Sequence, residues 1–161
     1  MAKIERKLLA HYINAAEPAA VTPAYVRLGA DLEEYVVEMG AQVDKKKNII
    51  GETSTNISGY EPSASVEPYY AETGTPLHTR LSRIVNERLV LDALKTTVVD
   101  VELWTADNGD EFDAWQEEAF IEVVSYGGDT TGVQIPFNLH MTGKRVKGKF
   151  DIAEKTFIPA T

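Results

Sequence analysis

Cysteine is absent from the 161 residues. That excludes disulfides, thiolate metal sites and cysteine nucleophiles. No apolar run approaches the ~18 residues that a spanning helix needs. The first seven residues include bases but no continuous apolar core follows them, so no secretory signal is expected and folding inside a cell is. A basic surplus is also missing. The net charge of −9 argues against a general duplex-DNA binder, which needs a cationic footprint. Histidine is scarce: His11, His78 and His140 are scattered without ligand spacing, so no metal site is expected. No G-x-S-x-G elbow occurs, and no serine or threonine has a recognisable base. Repeats with a period of about 20–50 residues are absent, which excludes solenoids and propellers.

What remains is a chain with 43% apolar and 25% charged residues, expected to form one domain over residues 1–161 with a real core. Its charge is unevenly spread. Residues 61–130 carry 15 acids and 4 bases, whereas residues 131–161 carry 2 acids and 5 bases. Nine acids and no Lys or Arg lie between Asp100 and Glu122. They form either a solvated sheet face or a surface kept negative for a purpose.

Thr75–Arg88 is the expected helix. Thr75 is a good N-cap, Pro76 suits the first helical position, and Leu77, Leu81, Ile84 and Val85 make one stripe. Arg80, Arg83 and Arg88 lie toward its C-terminal end, which suits the helix dipole. Strands are expected elsewhere. Tyr25–Leu28 and Glu34–Met39 flank a turn at Gly29–Asp31. Val99–Leu103 alternates strictly, turns at Asp107–Asp110, and returns along Ala114–Ser125 as a hairpin with acidic outer residues. Gly127–Asp129 reads as a turn. Ile135–Met141 alternates up to Gly143 and Lys144, Val146–Ile152 reads as a further strand, and Thr156–Ile158 as the last. Residues 57–71 read as a strand with Ile57, Tyr60 and Val66 inward and Pro62 and Pro68 at an edge.

Two segments fit less well. Residues 1–20 read as an N-terminal arm or docking segment, with Leu8, Leu9, Tyr12 and Ile13 on a short helix face. Residues 41–56 read as a long loop without regular structure, holding Lys45, Lys46, Lys47, Ile49 and Ile50. A loop that long is usually functional or disordered. Its two isoleucines imply burial against something.

No chemical constellation rises above background, so no catalytic residue, cofactor or enzymatic activity is expected. Asp107–Glu118 is rich in acids but lacks the alternate Asp/Asn, glycine and twelfth-position Glu of a calcium loop. The glycine-rich run 127–132 precedes a strand and lacks a phosphate-loop lysine. Glu117 and Glu118 are adjacent on a strand and point to opposite faces.

One pattern carries more. It runs Glu52-Thr53-Ser54-Thr55-Asn56-Ile57-Ser58-Gly59-Tyr60-Glu61-Pro62-Ser63, then Ser125-Tyr126-Gly127-Gly128-Asp129, then Gly132-Val133-Gln134-Ile135-Pro136-Phe137-Asn138-Leu139 and Gly143. It resembles the major tail protein, or tail tube protein, of long-tailed bacteriophages infecting Gram-positive hosts, over about residues 25–155. The resemblance implies a mainly β fold: an antiparallel β-sandwich or barrel with one flanking α-helix and a long inter-ring loop, here residues 41–56. It implies a virion protein, made in the host cytoplasm, whose hexameric rings stack into a tube for DNA ejection. Self-assembly, tape measure and tail terminator partners, and no membrane follow from it. The setting is a phage, a prophage or a tail-derived bacteriocin. Asp100, Glu102, Glu118 and Glu122 are then candidate acids of the lumen. The alternative readings are a monomeric β-sandwich binding module of a virion or cell-surface assembly, and an enzyme of unrecognised type.

Overall fold

The computed structural model describes residues 2–105 and 109–160. In chain order these form β1 (Leu9–Asn14), β2 (Tyr25–Leu28), β3 (Val37–Glu38), β4 (Ala41–Lys47), β5 (Thr53–Tyr60), β6 (Ser63–Val66), α1 (Pro76–Glu87), β7 (Lys95–Glu102), β8 (Glu111–Val123), β9 (Gly127–Asp129), β10 (Gly132–Gln134), β11 (Phe137–Asp151) and β12 (Thr156–Pro159). Asp107 and Asn108, half of the expected β7–β8 turn, lie outside the described residues.

Among the described residues the main sheet is ordered β2-β1-β7-β8-β11-β6-β3, with β12 also on β11, and its pairings are antiparallel. The sheet curls into a half-barrel. Two hairpins, β4–β5 and β9–β10, stand apart from it.

Register assigns every side chain to a face, because residues directly opposite on antiparallel strands share one. Ile13 lies opposite Val98, Thr96 opposite Ala119, and Ile121 opposite Leu139. This helix face is covered at one end by α1, whose Leu77, Leu81 and Ile84 are buried in the first core. Each such side chain contributes about 1.5–3 kcal/mol. The opposite, far face has its own core at the other end. Tyr12 lies opposite Val99, Val101 opposite Ala114, and Phe112 opposite Phe150, packed with Tyr25 and Phe157. Burial therefore changes face along β7, and Val98 and Val99 are both buried.

The helix forms as expected. The Thr75 hydroxyl accepts a hydrogen bond from the His78 N–H, and Arg88 closes the helix in the left-handed region. Arg80 lies within the buried stripe of the helix. It is 1% exposed and faces the core side of the helix rather than solvent. Its guanidinium donates to the carbonyls of Asn14, Ala16, Ala93 and Lys95. Burial lowers its pKa.

Several other expectations are corrected. Residues 9–14 are neither arm nor helix but an interior strand between β2 and β7, because both of its faces are covered. The strand expected over residues 34–39 shrinks to β3. Residues 41–56 are regular, forming most of a hairpin. Ile57 and Tyr60 point outward on that hairpin, at 56% and 57% exposure, while Val66 is buried as expected. Gly127–Asp129 pairs with β10 instead of only turning. The two strands expected after Gln134 are one, β11, with a register shift between Met141 and Arg145. Glycine at 148 lets β12 approach: a Cβ there would lie 2.2 Å from the Ile158 carbonyl oxygen.

Candidate functional site

The β4–β5 hairpin is the most conspicuous surface feature. The strands pair from Ala41↔Tyr60 to Lys47↔Thr53, with a register shift after Gln42. Its turn is built by Asn48, whose Oδ1 accepts from the N–H groups of Ile50 (3.1 Å) and Glu52 (2.9 Å). At its base Gly40 adopts φ +56°, and a Cβ there would sit 2.4 Å from the Glu61 carbonyl oxygen. The close crossing of the chain therefore requires glycine. No residue from Ala41 to Tyr60 is buried, and none belongs to either core. A lone two-stranded hairpin is marginal in water. This one carries Val43, Ile57, Tyr60 and an apolar tip, Ile49 and Ile50, in full view of solvent. Lys45, Lys46 and Lys47 make no ion pair among the described residues. The isoleucines expected to bury against something stay exposed among the described residues.

The four candidate lumen acids do not share a surface. Asp100 lies opposite Trp115 and Glu102 opposite Asp113, on the helix face. Glu118 lies opposite Thr97, and Glu122 opposite Asn138, on the far face. The sequence parity within each pair is right, but the register separates the pairs. Three of the four also have cationic or imidazole partners. Asp100 Oδ1 is 2.7 Å from His11 Nδ1. The other ring nitrogen, Nε2, lies 2.9 Å from Arg6 Nη2. A guanidinium only donates, so Nε2 accepts and the proton sits on Nδ1, pointing at Asp100. Glu118 is 3.3 Å from Lys95 and 3.6 Å from Lys144. Glu122 accepts from His140 Nε2 at 2.7 Å and Asn138 Nδ2 at 3.2 Å. Those two hydrogen bonds, His140 first, hold its carboxyl below the usual carboxylate range.

Register reveals acids that sequence reading missed. A groove of about 410 Å³ at the β11–β6–β3 edge of the sheet is bordered by Glu34, Glu38 and Glu67, along with Ser65 and His140. The signal was available only in part, since Glu38 alternates with Val37 while Glu34 and Glu67 lie outside strands. On the helix face, Glu117 is nearly buried and sits beside Arg145 at 3.4 Å. Burial pushes its pKa up, against the opposing pull of Arg145 and the Gly143 N–H.

Among the described residues no group of three or more His, Cys, Asp or Glu could hold a metal ion, and no helix is long and apolar enough to cross a membrane.

The curled antiparallel sheet with one helix among the described residues matches the fold of tail tube proteins. The chain is similar to the SPP1 tail tube, solved by solid-state NMR and cryo-EM, with a TM-score of 0.63 at 16% identity, covering 90% of this chain and 78% of that one. It is also similar to the anti-feeding prophage cap that terminates the AFP tube, with a TM-score of 0.57 at 10% identity, covering 91% of both chains. A third similar structure is the PVC sheath/tube terminator of an extracellular contractile injection system in its extended state, with a TM-score of 0.55 at 12% identity, covering 91% of this chain and 97% of that one. No protein-family model and no curated protein matches the sequence.

Proposed function

We propose that this chain is a structural subunit of a phage tail tube. Copies join edge to edge into hexameric rings, the rings stack, and DNA leaves through the bore. The observation that carries this reading is the β4–β5 hairpin, none of whose residues is buried, on a half-barrel similar to the SPP1 tail tube over 90% of the chain. Open sheet edges favour pairing with another chain, and among the described residues the edge strands of the main sheet are β2, the two-residue β3 and β12. The hairpin bridges one ring to the next. Tape measure and terminator proteins are the expected neighbours along and at the end of such a tube. Negative-stain microscopy of the purified chain tests the assembly directly. Rings or tubes are the expected result, and a monomer at every concentration overturns it in favour of a binding module.

In this reading the far face around β6, β11 and β8 lines the bore, because α1 occupies the other face. The bore acids are then Glu118 and Glu122 with Glu34, Glu38 and Glu67, whereas Asp100 and Glu102 face away. A negative wall repels phosphates along its whole length, so no single site traps DNA. Reversing Glu67, Glu118 and Glu122 to Lys should make assembled tubes retain DNA that is protected from nuclease. That retention should fall steeply with salt, as counterion release requires. Reversing Glu102 alone, on the helix face, should leave assembled tubes that protect no DNA. The opposite pattern would place the bore on the helix face.

A further inference from the structure

We infer that the cavity at the base of the β4–β5 hairpin receives the Ile49–Ile50 hairpin tip of a second copy of this chain. This rests on the tube reading and names the contact by which one subunit meets the next. The cavity, of about 500 Å³, is walled by Val37, Met39, Tyr60 and Pro62, with Asp100 and Glu117 in its lining. Met39 and Tyr60 are 53% and 57% exposed, an apolar rim left open among the described residues. Ile49 is fully exposed and Ile50 is 73% exposed, an apolar tip that likewise has no cover.

A chain cannot bring these two features together by itself. β4 runs seven residues outward from the base. At ~3.3 Å per residue the tip stands more than roughly 20 Å from its own cavity. The tip therefore finds such a cavity only on another copy. In a stacked tube each copy gives its tip to one neighbour and its cavity to another, a heterologous contact that repeats from subunit to subunit, whereas a reciprocal exchange would close as a dimer.

Charge favours the same pairing. Lys46 and Lys47 lead directly into the tip and have no ion-pair partner among the described residues. The cavity presents two carboxylates, Asp100 and Glu117, against one guanidinium, Arg145. Glu117 is 9% exposed, and a lysine arriving beside it would replace lost hydration. The groove bordered by Glu34, Glu38 and Glu67 on the far face has charge to match the lysines. Its apolar lining, however, is Val36 and Ala64 alone, which suits the isoleucine tip poorly.

The absence of cysteine allows a clean test with the full-length chain. A disulfide needs Cα atoms within ~7 Å, so a bond between positions 39 and 50 must join two copies. Oxidised Met39→Cys/Ile50→Cys protein should run as a ladder of covalent oligomers on a non-reducing gel, and each single variant should not. Both positions are exposed, so neither substitution disturbs a core. Ser65→Cys/Ile50→Cys places the partner thiol in the far-face groove instead and should give no ladder. If tubes form but only the Ser65→Cys pair cross-links, or neither pair does, the tip docks elsewhere and this inference is overturned while the tube reading stands. If the parent protein never assembles, both fall.

Discussion

Deleting Lys45–Gly51 should leave a folded subunit that no longer builds tubes. The shortened chain keeps Ala41–Asp44 and Glu52–Tyr60, which still pair from Ala41↔Tyr60 to Asp44↔Asn56 around a four-residue turn. Nothing removed touches either core. The melting temperature should therefore stay within about 3 °C of the parent, equivalent to about 1 kcal/mol in a domain of this size. Assembly loses much more. Burying Ile49 and Ile50 on a neighbour contributes about 1.5–3 kcal/mol each. Together that weakens each contact roughly 10²- to 10⁴-fold, before the three lysines are counted. The check is microscopy beside thermal melts at concentrations where the parent is fully assembled. Tubes of normal length from the deletion would sink the assignment of the hairpin to ring stacking.

Arg80→Met should destabilise the subunit itself. The guanidinium is the common donor for carbonyls of β1, the segment after it and the start of β7, and so ties α1 to the sheet. Methionine keeps the apolar stem but strands buried acceptors, at about 1–3 kcal/mol for each that finds no other donor. Asn14 retains one partner, the Thr96 hydroxyl at 2.6 Å. The expected loss is about 2–4 kcal/mol, a fall in melting temperature of roughly 5–15 °C. Arg80→Lys should fall between, since one ammonium cannot reach so many carbonyls in fixed directions. Calorimetry or a circular dichroism melt decides. A loss below about 0.5 kcal/mol for Arg80→Met would show that the carbonyls are satisfied without it.

Arg80 also shows where sequence reading reaches its end. Thr75 and Pro76 announced the helix, and Leu77, Leu81 and Ile84 its buried stripe. Residue 80 sits within that stripe at helical spacing, yet its charge kept it out of the apolar stripe read from the sequence. Only the neighbouring carbonyls explain its burial. The alternation of β7 and β8 was legible because one face at a time is apolar. β1 was not, because Ala10 and Tyr12 bury on one face while His11 and Ile13 bury on the other, leaving no two-residue period. The β4–β5 hairpin hid for the opposite reason: exposed on both sides, it is selected for no hydrophobic pattern at all. The candidate acids were grouped correctly within each strand. The phase between strands is set by pairing register, which composition does not encode, so Asp100 and Glu118 were joined although they lie on opposite faces.

The change of buried face along β7 has a consequence for insertions and deletions. In a sheet with one apolar face, an extra residue can be absorbed as a bulge wherever the strand is bare. β11 accommodates such an irregularity between Met141 and Arg145, beyond the first core and before Phe150. β7 has no comparable stretch, because Val98 closes one core and Val99 opens the other. One residue inserted between them would reverse the parity of everything beyond. Val99 and Val101 would turn out of the second core, and Asp100 would turn in among Tyr12, Tyr25 and Phe150. Reading-frame-preserving indels should thus be purged from this strand while point changes at Thr97 or Glu102 pass, so the strand's length is fixed more tightly than its composition.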